Sequence, residues 1–142
     1  MKGDYEKSIE EYKKLINYGS NTEMTNNNIA MAYLHTKNYT EAIKYIDIAI
    51  SLKPKDPTFY INKGNILDSM HKYDLAIEAY DQVLKLDPTN SDVLNNKGIT
   101  LSNKNDKLGS LECFKESIRL NPNQILAYTN KSQIELALGN GK

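Results

Sequence analysis

The sequence predicts an all-α solenoid of antiparallel helix pairs, and three observations support this prediction. First, Pro54, Pro88 and Pro122 are 34 residues apart, and each follows a leucine by two residues. Second, apolar residues recur at spacings of three and four, which is typical of amphipathic helices, and no strand pattern is visible. Third, the helical stretches are joined by short connections, which favour antiparallel neighbours. A fixed period of this length indicates a solenoid in which each unit buries its apolar face against its neighbours.

About eight helices follow from this pattern in chain order. The first is predicted to run from Asp4, as its N-cap, to about Tyr18, and Gly19 interrupts it. Asp56 and Pro57 form a typical helix entry, an N-cap followed by proline in the first turn. The late prolines end the second helix of each unit because proline lacks an N–H donor and clashes with the preceding turn. The other predicted helices cover residues 22–36, 39–52, 57–70, 73–86, 91–103, 108–120 and 124–138, with residues 139–141 closing the last.

Residues 57–90 contain the clearest copy of the repeated unit. It has a large residue near its start, small residues where two helices approach, and a late proline: Tyr60, Gly64, Leu67, Ala76, Tyr80 and Pro88. This pattern resembles the tetratricopeptide repeat, a helix–turn–helix unit of 34 residues. Residues 23–56 and 91–124 follow the same register, with Asn26 and Leu94 at the position of Tyr60. The usual tryptophan is absent, and Lys63 and Lys97 stand where leucine is common. The resemblance implies a right-handed superhelix with these three full repeats.

The two ends of the sequence are expected to be half repeats of the same solenoid domain. Residues 1–22 correspond to a second helix alone, and residues 125–142 to a first helix alone. Neither end shows the polar face that caps a solenoid, so the sequence is interpreted as a fragment of a longer array. Each end offers the surface that the other lacks, which predicts weak head-to-tail self-association.

Composition argues against several classes of function. The chain has 18 basic and 18 acidic residues, so a nucleic-acid binder with a basic stripe is not expected. No apolar run approaches the roughly 18 residues of a membrane span, and no secretory signal is visible. Cys113 is the only cysteine, and no phosphate loop, zinc signature or catalytic triad is found. We therefore expect a cytoplasmic protein that is not an enzyme and needs neither cofactor nor metal.

Four asparagines form the clearest candidate site. They recur every 34 residues on the first helix of each repeat, the helix that lines the concave surface in the family, although asparagine costs roughly 0.5 kcal/mol relative to alanine inside a helix. A carboxamide has a donor and an acceptor side by side and so matches a peptide unit. Some members of the family hold an extended polypeptide with such a ladder. The candidate peptide-binding residues are Asn28, Asn62, Asn96 and Asn130, with Asn65, Asn27 and Asn95 as helpers.

The sequence thus predicts a protein–protein interaction scaffold that binds an extended peptide or a partner helix in the concave groove. The only charges expected there are Asp68 and Asp92, so the basic clamp by which some family members hold a terminal carboxylate is not expected. Three alternatives stay open. In the first, asparagine is simply common at this position of the family, and duplication copied it. In the second, the chain is an architectural segment of a longer repeat protein that spaces other domains or associates end to end. In the third, the chain belongs to an enzyme whose catalytic domain lies outside it.

Overall fold

The computed structural model describes residues 2–139, which contain eight α-helices and no strand. The observed helix bounds agree with most of the predicted ones to within one or two residues, which confirms the all-α prediction. The helices are α1 (Lys2–Asn17), α2 (Glu23–His35), α3 (Tyr39–Leu52), α4 (Pro57–Ser69), α5 (Tyr73–Leu86), α6 (Ser91–Asn103), α7 (Lys107–Leu120) and α8 (Ile125–Gly139).

The prediction that Asp4 caps the first helix is wrong. Helix α1 already begins at Lys2, so Asp4 lies inside its first turn, where its backbone carbonyl accepts a hydrogen bond from Ser8 Oγ at 2.9 Å. At the other end, Gly139 belongs to α8, and the remainder of the predicted closing turn, Asn140 and Gly141, lies outside the described residues.

Side-chain caps explain where several helices begin. The side chains of Thr22 and Asn90 each accept the backbone N–H three residues further on, at 3.1 Å, before α2 and α6. Asp56 Oδ1 accepts the N–H of Thr58 at 3.0 Å, which confirms the predicted cap of α4. These bonds satisfy N–H groups that have no acceptor within the first turn of a helix.

A left-handed residue ends the first helix of each full repeat. Lys37, His71 and Asn105 have φ angles of 61°, 60° and 73° and are spaced 34 residues apart. After each of them, the next N–H donates to the carbonyl five residues earlier, at 2.9, 2.9 and 2.8 Å. This is the Schellman pattern of a helix C-terminus, here formed without glycine. It turns the chain within three residues into α3, α5 and α7.

The helices group into two compact units, one up to Ile66 and one from Leu67 onwards. In the first unit α2 packs against α1 and α3. Lys63 of α4 and Asp47 of α3 form an ion pair with an Nζ–Oδ1 distance of 2.7 Å. The buried apolar residues include Ile9, Ile29, Ala30, Tyr33, Ala42, Ile46, Ala49, Phe59 and Ile66.

In the second unit α6 packs against α5, α7 and α8. Gly98 of α6 lies so close to the ring of Phe114 that a Cβ atom there would be 2.6 Å from Phe114 Cε1. Lys97 and Asp81 repeat the ion pair of the first unit with the same Nζ–Oδ1 distance of 2.7 Å. The buried side chains include Tyr80, Val83, Val93, Phe114, Ala127 and Ile134.

Candidate functional site

The first unit contributes two of the four candidate asparagines, Asn28 on α2 and Asn62 on α4. Both are half-buried. Asn62 Nδ2 donates a hydrogen bond to Asn27 Oδ1 at 2.7 Å, across 35 residues of sequence. Asn27 itself is 7% exposed, so its carboxamide lies beneath the surface and holds that of Asn62 in place.

The second unit repeats this arrangement with Asn96 on α6 and Asn130 on α8. Both are again half-buried. Asn130 Nδ2 donates to Asn95 Oδ1 at 3.1 Å, and Asn95 is 4% exposed. The 35-residue interval is the same as in the first unit. A periodic hydrogen bond between neighbouring first helices therefore accompanies the periodic asparagines.

These bonds leave hydrogen-bonding groups unused. Asn62 and Asn130 each commit one N–H, and their Oδ1 and second N–H have no partner among residues 2–139. Asn28 and Asn96 make no side-chain hydrogen bond to any residue that the structure describes. All four carboxamides thus retain both a donor and an acceptor, which the recognition of a peptide unit requires.

The three helper asparagines differ in this respect. Asn27 and Asn95 are buried, and their acceptors are taken by Asn62 and Asn130, so they position other carboxamides. Asn65, one turn further along α4 than Asn62, is half-buried. Sequence spacing alone could not separate these roles, although the adjacent pairs Asn27–Asn28 and Asn95–Asn96 are visible in it.

A cavity of about 160 Å³ opens beside Asn130 in the second unit. A cavity of about 150 Å³ holds a benzene ring, so this one accommodates a single side chain of a ligand. Two of its lining residues, Phe114 and Ile134, are buried and were not among the candidate site residues of the sequence analysis. The lining residues are Ile99, Ser102, Asn103, Phe114, Asn130, Gln133 and Ile134.

The carboxylates expected in the groove have partners of their own. Asp68 Oδ1 accepts hydrogen bonds from Thr100 Oγ1 at 2.9 Å and from Asn103 Nδ2 at 3.4 Å. Burial, together with the negative charge of Asp68, raises the pKa of the Tyr80 hydroxyl well above its usual range. Asp92 Oδ1 accepts from Gln124 Nε2 at 2.6 Å. Both carboxylates therefore stabilise contacts within the second unit.

The chemistry available elsewhere is limited. Within the described residues, no three or more His, Cys, Asp or Glu side chains are grouped so that they could hold a metal ion. Burial raises the pKa of the Cys113 thiol, which disfavours the reactive thiolate at neutral pH. None of the eight described helices combines the length and the apolar character needed to cross a membrane.

Comparison with known sequences identifies the repeats. Three family models of the tetratricopeptide repeat match the chain, at residues 25–56, 57–90 and 79–111. Together the matches span residues 25–111. No curated protein has a significantly similar sequence.

Solved structures of the same fold are similar over most of the chain. MamA is 20% identical, with a TM-score of 0.85 over 97% of this chain and 81% of its own. YrrB, a TPR protein with an unusual peptide-binding site, is 21% identical, with a TM-score of 0.83 over 92% of this chain and 68% of its own. The first TPR domain of Spaghetti (RPAP3), bound to the HSP90 peptide SRMEEVD, is 16% identical, with a TM-score of 0.76 over 83% of this chain and 94% of its own. At these identities the similarity establishes the fold, an all-α solenoid of helix pairs.

Proposed function

The chain belongs to the tetratricopeptide repeat family, and on this premise we propose that it is a protein–protein interaction scaffold. Its ligand is an extended peptide, held through the peptide backbone by asparagines on the first helices. Asn28 and Asn62 provide these contacts in the first unit, and Asn96 and Asn130 in the second. The observation that carries the proposal is the repeated hydrogen bond that orients one asparagine of each unit.

Orientation favours binding because a side chain that is already fixed loses less entropy when a ligand arrives. Asn62 and Asn130 are fixed in this way by Asn27 and Asn95. Each keeps its Oδ1 and one N–H without a partner among residues 2–139. Two of the structural neighbours also bind peptides, since YrrB has a peptide-binding site and the RPAP3 domain is bound to one.

The expected ligand differs from the acidic peptide bound to the RPAP3 domain. Asp68 and Asp92 place negative charge beside the site in the second unit, and the side chains lining the 160 Å³ cavity are uncharged. A neutral or basic extended segment with a medium-sized apolar side chain fits this chemistry best. Backbone recognition makes the rest of its sequence secondary.

The proposal can be tested with peptides selected from a random library for binding to the purified protein. Replacing Asn62 or Asn130 by alanine should weaken binding about fivefold each, because each change removes about one net hydrogen bond. Peptides with methylated backbone nitrogens should bind far more weakly, whereas side-chain changes outside the cavity should matter little. Fluorescence anisotropy measures the affinities, and circular dichroism compares the folding of the variants.

Asn123→Ala is the matched control, because Asn123 is an exposed turn residue outside the asparagine row. It should bind like the wild type. Unchanged affinity in the Asn62→Ala/Asn130→Ala double variant, at equal helicity, would contradict the proposal. So would tolerance of backbone methylation.

The second candidate is an architectural segment that associates end to end. It is favoured by apolar side chains on α8, where Ile125, Leu126 and Leu136 are 78%, 66% and 65% exposed. Exposed apolar side chains of this size mark interaction sites when they form a patch. A mass that rises with concentration in sedimentation equilibrium, and falls when Leu126 and Leu136 become serine, would favour this candidate. A constant monomer mass would reject it.

A further inference from the structure

A second cavity lies in the first unit and shares no residue with the proposed peptide site. Its volume is about 300 Å³, at the lower end of the range for small-molecule sites. Helix α1, the start of α2 and helix α3 form its walls. The lining residues are Lys13, Ile16, Asn17, Asn21, Asn26, Tyr45 and Ile48.

The sequence explains why the cavity is there. Asn26 occupies the repeat position at which the other repeats have Tyr60, Leu94 and Tyr128. In the next repeat, the Tyr60 hydroxyl donates a hydrogen bond to the backbone carbonyl of Pro54 at 2.9 Å. The much shorter asparagine side chain cannot fill the corresponding space between α1 and α2.

Asn26 also has an unused acceptor. The residue is fully buried, and its Nδ2 donates to Asn21 Oδ1 at 2.6 Å and to the Thr22 carbonyl at 2.8 Å. Since a backbone carbonyl can only accept, the orientation of the carboxamide is fixed. Its Oδ1 is the single buried side-chain polar atom without a hydrogen-bond partner among residues 2–139. A buried acceptor left in this state costs stability, so a donor at this point is favoured.

A cation and an aromatic ring, Lys13 and Tyr45, complete the wall. Lys13 Nζ lies 5.4 Å from the ring centroid of Tyr33 and 6.0 Å from that of Tyr45. The two rings are stacked at 5.7 Å. The neighbouring Tyr33 side chain raises the pKa of the Lys13 ammonium, so Lys13 stays charged at neutral pH.

We propose that this cavity binds a small phenolic molecule. The ring would occupy the space that tyrosine takes in other repeats, against Ile16, Ile48 and Tyr45. The phenol O–H would supply the donor that Asn26 Oδ1 lacks. A carboxylate on the ring would form an ion pair with Lys13 in the cavity wall. Small aromatic molecules are known to enter protein cavities of half this volume.

The test uses phenol, anisole and 4-hydroxybenzoate as probes, followed by amide chemical shifts in nuclear magnetic resonance. Phenol should shift the signals of Asn17, Asn21 and Asn26 in a saturable manner. Anisole, which has the same ring but no O–H donor, should bind about fivefold more weakly. 4-Hydroxybenzoate should bind more tightly than phenol, and Lys13→Met should remove that advantage.

Two variants address the cavity itself. Asn26→Tyr copies the residue of two other repeats, and it should abolish phenol binding while raising the unfolding temperature. Asn26→Leu keeps the size of the side chain but removes the acceptor, so phenol and anisole should then bind equally. Asn28→Ala, which is on the same helix but not in the cavity wall, should bind phenol like the wild type. Because Asn28 belongs to the proposed peptide site, the two proposals can fail independently.

Several results would overturn the proposal. These are equal affinity of the wild type for phenol and anisole, saturable phenol binding by Asn26→Tyr, or shifts confined to residues outside the cavity wall. A crystal soaked in phenol that shows only a water molecule at Asn26 would do the same.

Discussion

The repeat formed by α2 and α3 and the repeat formed by α6 and α7 have the same backbone plan but different interiors. Both have a first helix of 13 residues, a second of 14 and a left-handed turn residue between them. In the earlier repeat Ala30 and Ile46 are in the core, and 68 residues later the same positions hold Gly98 and Phe114. A smaller residue on one helix is matched by a larger one on the other. The comparison shows that the repeat specifies a combined volume for this pair of positions.

The same two repeats also differ in polarity. Ala42 and Ala49 of α3 correspond to Ser110 and Ser117 of α7, and all four are fully buried. The hydroxyl of Ser110 donates to the Gly98 carbonyl at 2.7 Å, and that of Ser117 to the Ser91 carbonyl at 2.8 Å. Because both hydroxyls are satisfied, α7 tolerates buried polar atoms at two positions where α3 has alanine.

The largest effect should come from breaking the volume match. Gly98→Ala introduces a Cβ 2.6 Å from Phe114 Cε1. Overpacking typically costs about 1–3 kcal/mol, and the better helix propensity of alanine returns about 1 kcal/mol. We expect a net loss of up to about 2 kcal/mol in the free energy of unfolding, measured by urea denaturation.

A second substitution sharpens this result. Phe114→Ile alone should cost about 2 kcal/mol because it leaves a void beside Gly98. The double variant recreates the Ala30–Ile46 pair, so it should lose clearly less stability than the sum of the single variants. Strict additivity would show that the two positions are independent.

An intermediate effect is expected from the buried serines. Ser110→Ala removes the hydrogen bond to the Gly98 carbonyl and should lower the free energy of unfolding by about 1 kcal/mol. The reverse change, Ala42→Ser, places a hydroxyl at the corresponding position of the earlier repeat. If the shared backbone offers it the carbonyl of Ala30, the cost should stay below about 1 kcal/mol. A larger loss in Ala42→Ser than in Ser110→Ala would show that the two backbones are not equivalent.

The smallest effect should come from the ion pairs that link a first helix to the second helix before it. Lys97→Met keeps the apolar stem and removes the charge that pairs with Asp81. For a pair of this exposure we expect a loss of about 0.5 kcal/mol at low ionic strength, falling towards zero in about 1 M salt. The corresponding position of the earlier repeat holds the buried Ile29. If Lys97→Met lowers the free energy of unfolding by several kcal/mol, and this loss does not change with salt concentration, Lys97 acts through packing.

The helices could be predicted from the sequence because their signals are local. Prolines, turn residues and caps such as Asp56 act within a few positions of the residue that carries them. The start of α1 was missed because Asp4 is as compatible with the interior of a first turn as with a cap, and nothing before it breaks the helix. The asparagine positions were visible from their spacing alone.

The finer features of the sites depend on neighbours distant in sequence. The bond from Asn62 to Asn27 joins two helices, and no local rule distinguishes a buried carboxamide from an exposed one. Asn26 was assigned to its repeat position without regard to the size of its side chain. The cavity that this short side chain leaves between α1 and α2 was therefore not predicted. A comparison of residue volumes between repeats, Asn26 against Tyr60 and Tyr128, would have indicated it.

The left-handed turns at Lys37, His71 and Asn105 also bear on how fast the molecule folds. Each turn spans three residues, and the turns at Lys37 and Asn105 join helices that pack together, α2 with α3 and α6 with α7. These packing partners are therefore close in sequence. Chains with such local contacts close only short loops before native packing begins and fold on the microsecond to millisecond scale. Each helix pair can therefore serve as a starting point for assembly, and a repeat can form before its neighbours are complete.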